Sequence, residues 1–197
     1  TRMRPPLVLT IAGSDSDGAS GIQADLKTFT ALGVYGASAV SMICAVNTTG
    51  VQGTHYLPGE VVRDQIDAVV QDLLVDATKI GSLGSAAVVE AVAGAVRTHR
   101  SRMGRIILDP VMVGADGSAL ISAEGARALR TSLVPQVDVL TPTMLEAAQL
   151  LGQQGLIFHH QDAHQSRPFL RMRSTRPSMA STLSLLTSPL GCSRRSS

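Results

Sequence analysis

The residues of this chain that could do chemistry begin with a glycine-rich stretch at residues 10–29, TIAGSDSDGASGIQADLKTF. An apolar run stops at Gly13, small and acidic residues follow, and Gly21 opens a segment in which Ile22, Leu26 and Phe29 recur at helical spacing. Strand, loop and helix in that order offer a sharp backbone turn and helix-start N–H groups to a small polar or anionic ligand. Neither familiar phosphate motif is complete. A Walker A reading fits at Gly13 and Gly18, but Ala19-Ser20 stands where Lys and Ser/Thr are needed, and Ser16 occupies the first glycine position of the dinucleotide fingerprint. A tight strand-to-helix turn with no ligand remains the alternative.

Further polar candidates follow apolar runs: Asn47, Asp109, and the Thr141–Glu146 segment at 141–146. Asp109, at the end of RIIL, suits a metal or phosphate-linked role, and it equally suits a carboxylate satisfied by local N–H groups near Pro110. His159, His160 and His164 lack accompanying ligands and read as a solvated loop rather than a metal site. Cys44, inside an apolar run, reads as a small core residue, and with Cys192 it makes no disulfide framework.

The elements that must position these groups alternate. The spacing predicts a strand over 7–12, a helix from Gly21 with Gly33 at its C-cap, and a buried strand over 37–46 ending at the turn Asn47-Thr48-Thr49-Gly50. A helix follows from Pro58, with Val62, Ile66, Val69 and Leu73 facing the core and Arg63, Asp64, Asp67 and Gln71 facing solvent. Short strands are predicted at 78–81, 105–108 and 137–140, and helices at 86–99 (capped by Ser85), after Ser122, and at 144–151 (stopped by Gly152). This alternation predicts an α/β sandwich with a mainly parallel sheet and ligands at the carboxyl ends of its strands.

Composition narrows the class. One domain is expected from 197 residues, and its core must be aliphatic: Trp is absent, with two Tyr and three Phe. So few aromatic rings offer little surface for base stacking. Residues 1–152 carry a net charge of −3 and residues 153–197 one of +5, so the main body offers no basic patch for nucleic acid or an anionic membrane. No apolar run reaches membrane-spanning length, and Pro5-Pro6 and Asp15 argue against a signal peptide. A cytoplasmic location is expected.

Five segments in order, LTIAGSDSDGASGIQADLKTFTALGVYG (9–36), NTTGVQG (47–53), TKIG (78–81), LDPVMV (108–113) and LTPTMLEAAQLLG (140–152), resemble the hydroxymethylpyrimidine/phosphomethylpyrimidine kinase family of thiamine biosynthesis. That family is a branch of the ribokinase-like vitamin and sugar kinases. The resemblance implies a ribokinase-like three-layer sandwich and ATP-dependent phosphorylation of a pyrimidine hydroxymethyl group, then of the monophosphate. It implies that Gly13 and Asp25 lie around the pyrimidine, that Val111 packs on its ring, and that Asp109 and Glu146 lie near the nucleotide phosphates and Mg²⁺. A homodimer is the expected assembly, with 37–46 contributing.

The chain also departs from the family. Val46 stands where Glu or Gln usually precedes the Asn-Thr pair, Ser82 replaces a frequent Met, and Thr143 and Leu145 replace the usual Asn and Pro. The Lys-Gly-Gly segment and the GTGC anion-hole motif have no counterpart, so no catalytic residue is assigned. Residues 1–152 are therefore expected to form the N-terminal part of a kinase domain whose C-terminal part is incomplete. Residues 153–197, rich in Ser and Arg, are expected to be an out-of-frame or altered tail, disordered from 166 to 197. Two alternatives follow: a non-catalytic pyrimidine-binding or dimerising remnant, and a kinase for a pyridoxal-type ring.

Overall fold

The structure is a computed structural model that describes residues 4–114 and 119–152 together with the backbone of 170–171. The tail histidines and Cys192 lie outside the described residues, as does the stretch expected to be disordered from 166 to 197 apart from the backbone of 170–171. The elements run β1 (Leu7–Asp15), α1 (Gly21–Ala31), β2 (Tyr35–Asn47), β3 (Gly50–Tyr56), α2 (Gly59–Asp72), β4 (Ala77–Ile80), α3 (Ala86–His99), β5 (Arg105–Leu108), α4 (Ala123–Ala128), β6 (Val139–Leu140), α5 (Met144–Leu150) and β7 (Leu170–Arg171). They build one sheet in the order β3-β2-β1-β4-β5-β6-β7. The central pairs from β2 to β6 are parallel; the hairpin β2–β3 and the pair β6–β7 are antiparallel.

Strand alternation sorts the side chains into two faces. Leu7, Leu9 and Ile11 point with Ile80, Ile106 and Leu108 into a core closed by α2 and α3, whose Val62, Ile66, Val70, Val88, Val92 and Val96 are buried. Thr10 points to the opposite face, where α1 lies: Asp25 reaches Thr10, and a Cβ on Gly36 would strike Leu26 at 2.6 Å and Phe29 at 3.1 Å. Helices thus cover both faces of a mainly parallel sheet, as the alternating pattern requires.

Helix ends follow the sequence signals. Gly33, at φ +71°, closes α1 in a Schellman arrangement, with Val34 N–H donating to Phe29 O and Gly33 N–H to Thr30 O. Ser85 caps α3 by accepting from Val88 N–H, and Ser122 caps α4 by accepting from Gly125 N–H. No helix among the described residues is long and apolar enough to cross a membrane.

Several expectations change. The first strand does not stop at Gly13: it continues to Asp15, past a bulge that shifts the pairing from Ala12↔Val40 to Ser14↔Ile43. The bulge turns Met42 over Gly13, a contact invisible to a one-strand reading. Residues 50–56, to which the sequence reading assigned no element, form β3, held by pairing to β2. Val62 and Ile66 are buried and Val69 and Leu73 pack against the core as expected, and Val70 joins them fully buried, because a helix packed against both β2 and α3 buries a wider stripe. Val137 lies before β6, where its N–H donates to Val134 O in a closing turn. Cys44 is only half-buried, beside Thr54 on the hairpin.

Candidate functional site

The carboxyl ends of the central strands are stitched in steps. Gly81 N–H donates to Ile11 O (2.9 Å), Asp109 N–H to Ile80 O (2.8 Å) and Thr141 N–H to Leu108 O (3.0 Å), so each strand's exit is fixed by its neighbour. The loops after β1, β4, β5 and β6 therefore share one edge, where ligands of parallel α/β sheets bind.

The glycine loop after β1 is a closed turn. Asp15, 5% exposed, accepts from Asp17 N–H (2.9 Å), Ser20 N–H (2.8 Å) and the Ser20 hydroxyl (2.7 Å). Burial pushes the Asp15 carboxyl up; the Ser20 hydroxyl and the N–H groups of Ser20, Asp17 and Gly18 outweigh it and hold the group below the ordinary carboxylate value. The protein's own carboxylate thus takes donors that the sequence reading offered to an anionic ligand. Gly21, at φ +59°, brings the start of α1 onto Gly13: a Cβ there would lie 2.2 Å from Gly13 O. Gln23 accepts from Asp15 N–H (2.8 Å) and donates to Ser14 Oγ (2.7 Å), tying helix to loop.

Gly13 itself is buried beneath Met42. Val46, 30 residues further on than Ser16, is brought to the same loop: Val46 N–H donates to Ser16 Oγ (2.8 Å), and the Ser16 hydroxyl donates to Val46 O (2.7 Å). Asn47 is spent on its own turn, its Oδ1 accepting from Thr49 N–H and the Thr49 hydroxyl. Asp25 stands on the inward stripe of α1. Its Oδ2 accepts from the Thr10 hydroxyl at 2.6 Å and from Lys79 Nζ at 2.8 Å.

On the other side, Asp109 and Val111 share a tight turn in which Val111 N–H donates to Asp109 O (2.8 Å). Glu146, 4% exposed, closes a capping box at the start of α5: its Oε2 accepts from Thr143 N–H (2.7 Å) and the Thr143 hydroxyl (2.8 Å), while Thr143 Oγ1 accepts from Glu146 N–H. Its Oε1 accepts from Met112 N–H at 3.2 Å. Glu146 therefore clasps the loop that carries Asp109 and Val111. Three of its roughly four acceptor positions are occupied, which suits contact with a cation through water better than direct ligation. Among the described residues no group of three or more His, Cys, Asp or Glu is placed to hold a metal ion.

Val46 thus meets the loop after β1 at Ser16, Gly13 lies within β1 under Met42, Asp25 joins Thr10 and Lys79 on the α1 face, and Asp109, Val111 and Glu146 are joined at the β5 and β6 exits. Sequence reasoning passed over Asp15, Ser16, Met42 and Lys79. A lysine in the short apolar strand TKI and an aspartate in the apolar stripe of α1 were the available signals for the Asp25–Lys79 pair. Nothing in the local sequence announces the other three.

The family model described as phosphomethylpyrimidine kinase matches residues 15–173. The hydroxymethylpyrimidine/phosphomethylpyrimidine kinase of Salmonella typhimurium is 46% identical over 143 residues, covering 73% of this chain and 53% of the relative. That of Escherichia coli K12 is 43% identical over 164 residues, covering 83% and 61%. The chain spans little more than half the length of these curated relatives. Among solved structures, the phosphomethylpyrimidine kinase of Clostridium difficile 630 superposes with a TM-score of 0.72 at 36% identity, over 80% of this chain and 66% of the other. An ADP complex of Bacillus subtilis pyridoxal kinase gives 0.69 at 35% identity, over 81% and 59%. The fold is the ribokinase-like α/β sandwich of these kinases.

Proposed function

We propose that this chain, which belongs to the phosphomethylpyrimidine kinase family, forms the pyrimidine-binding part and a portion of the nucleotide site of an ATP-dependent kinase for hydroxymethylpyrimidine and its monophosphate. The observation that carries the reading is the shared carboxyl edge. Asp109, in the turn after β5, and Glu146, in the first turn of α5, are linked through the Met112 N–H that Glu146 accepts, and the loop after β1 leaves the same edge of the sheet.

In this reading the pyrimidine ring lies between Gly13, Asp25, Val46 and Val111. Val46 and Val111 supply apolar walls, and Asp25 supplies a hydrogen-bond acceptor to the ring's amine. Asp109 and Glu146 face the nucleotide phosphates, with Glu146 keeping the 109–112 turn in place. Asp109 and Glu146 would hold Mg²⁺ brought in with ATP, which would supply compensation of the phosphate charge; the γ-phosphoryl group passes to the substrate hydroxyl oxygen, whose proton is released to solvent, and ADP is the leaving group. Val46 cannot hydrogen-bond the pyrimidine edge as Glu or Gln would, and the missing contact costs about 1 to 3 kcal/mol where a polar partner is left unsatisfied. The same residue, with the likeness to pyridoxal kinases, favours a second reading in which a pyridoxal-type ring is the acceptor. The proposal extends to a cytoplasmic homodimer, for which the exposed Tyr35, Ile43, Val51 and Tyr56 of the β2–β3 edge offer apolar contact area.

The test is a coupled ATP-turnover assay with hydroxymethylpyrimidine and pyridoxal, paired with direct binding of each ring. Turnover that needs Mg²⁺ and falls about 100-fold or more in Asp109→Ala is expected. Hydroxymethylpyrimidine binding without turnover identifies the non-catalytic version of the reading. Binding of neither ring overturns it.

A further inference from the structure

We propose that Lys79 is the positioning residue for Asp25, setting its carboxylate so that Oδ1 is the acceptor for an amine on a heteroaromatic ring; this deepens the proposed function and rests on it. Lys79 sits in a strand whose neighbours Thr78 and Ile80 are fully buried on the α2–α3 face, so alternation sends it to the face of α1. Its register partner on β1 is Thr10. On α1, Asp25 follows Ile22 by three residues and so occupies the same inward stripe. Thr10, Lys79 and Asp25 converge from three separate elements.

The lysine's path is determined by a glycine. Lys79 Nζ lies 2.9 Å, and Ala12 Cβ 3.1 Å, from where a Cβ on Gly81 would stand. The side chain therefore runs along the strand toward the carboxyl edge, through space that any other residue at 81 would contest. Both Thr10 and Lys79 end on the same oxygen, Oδ2, at 2.6 and 2.8 Å. Oδ1 accepts no hydrogen bond among the described residues.

Stability is a weak reason for this arrangement. Partial burial costs each ion hydration, and at 26% and 17% side-chain exposure solvent screens the attraction that offsets it. What two donors from different strands do fix is orientation. A carboxylate gripped at one oxygen presents the other in a single direction, and an ionised oxygen accepts only. Its ligand must bring an N–H or O–H donor; a phosphate or carboxylate there would be repelled. The 4-amino group of hydroxymethylpyrimidine is such a donor.

The experiment is calorimetric titration of the full chain with 4-amino-5-hydroxymethyl-2-methylpyrimidine and with the same ring lacking the amine. Wild type is expected to prefer the amine about tenfold, the worth of one hydrogen bond to a charged group. Lys79→Met should bring the ratio near one, and Lys79→Arg should recover part of it. A purely structural lysine would weaken both ligands alike. Equal weakening, or an unchanged ratio in Lys79→Met, overturns the inference and leaves the proposed function standing. If wild type binds neither ring, the proposed function falls and this inference with it. Should Lys79→Met not fold by circular dichroism, Thr10→Val reads the same orientation through the other donor, with a few-fold drop in the ratio expected and an unchanged ratio counting against the inference.

Discussion

The contact between Gly21 and Gly13 can be weighed by comparing two glycines in the same backbone region. Gly21 and Gly33 have φ of +59° and +71°, and they flank the same helix. A Cβ on Gly33 would meet nothing within 4 Å, whereas one on Gly21 would lie 2.2 Å from Gly13 O, a backbone atom. Alanine in the left-handed region costs about 1 to 2 kcal/mol, and the stiffer unfolded chain returns about 0.4 to 1. Gly33→Ala should therefore lose about 1 kcal/mol. At Gly21 the same backbone cost applies, and the carbonyl must also retreat by about 1 Å to reach an ordinary C···O separation near 3.3 Å. Gly13 has little freedom to move, since Met42 Cγ stands 3.0 Å from its own Cβ position. Overpacking of this kind adds about 1 to 3 kcal/mol, so Gly21→Ala should lose about 3 kcal/mol. Urea unfolding followed by circular dichroism, with m-values checked for constancy, measures both. Losses equal within about 0.5 kcal/mol would mean that α1 does not begin against Gly13, and the account of the loop would fail.

Two further outcomes are expected. Because the folded Asp15 carboxyl titrates below its unfolded value, it contributes stability that is present above about pH 4 and lost as pH falls through the folded value. Asp15→Asn should cost about 2 kcal/mol at pH 7 and progressively less in acid, and a urea-midpoint gap that is constant from pH 7 to pH 2.5 would contradict this. Thr143→Ala should lose about 1 kcal/mol by uncapping α5, while Thr143→Asn, a good cap, should be near neutral. Equal losses in thermal melts would show that the capping box does not hold α5.

How far the fold could be read in advance depended on where each segment's hydrogen bonds go. Segments that satisfy themselves were legible: α3 has its own cap at Ser85, and α1 ends in a glycine whose φ is required by the chain reversal. Segments whose partners lie elsewhere were not. β3 is a strand because β2 supplies its ladder, and in GVQGTHY two glycines interrupt the few strand-favouring residues, Val51, Thr54 and Tyr56, so that no apolar alternation announces it. The extension of β1 to Asp15 likewise depends on a bulge two residues wide in β2. Propensity is a local quantity, and these two elements are set by pairing.

The same distinction separates the candidate residues. The carboxylates at strand ends were recognisable because topology alone brings strand ends together, which is how Asp109 and Glu146 reach one edge. Their roles were less legible, since a Thr-x-x-Glu spacing describes a helix cap as well as a cation site. Glu146 satisfies the first description with Oε2, and through Oε1, which accepts from Met112 N–H, it makes the cap hold the Asp109 turn. A carboxylate that fixes one loop to the next is not thereby removed from the chemistry. It sets where Asp109 stands, so replacing Glu146 by Gln, which keeps an acceptor for Thr143, should separate the mechanical contribution from the charge. The Asp25–Lys79 pair violates the local pattern twice, with an acid in an apolar helix stripe and a base in an apolar strand. Each residue alone looks like an error of patterning, and together they cancel, which is the form such violations take where a site is being shaped.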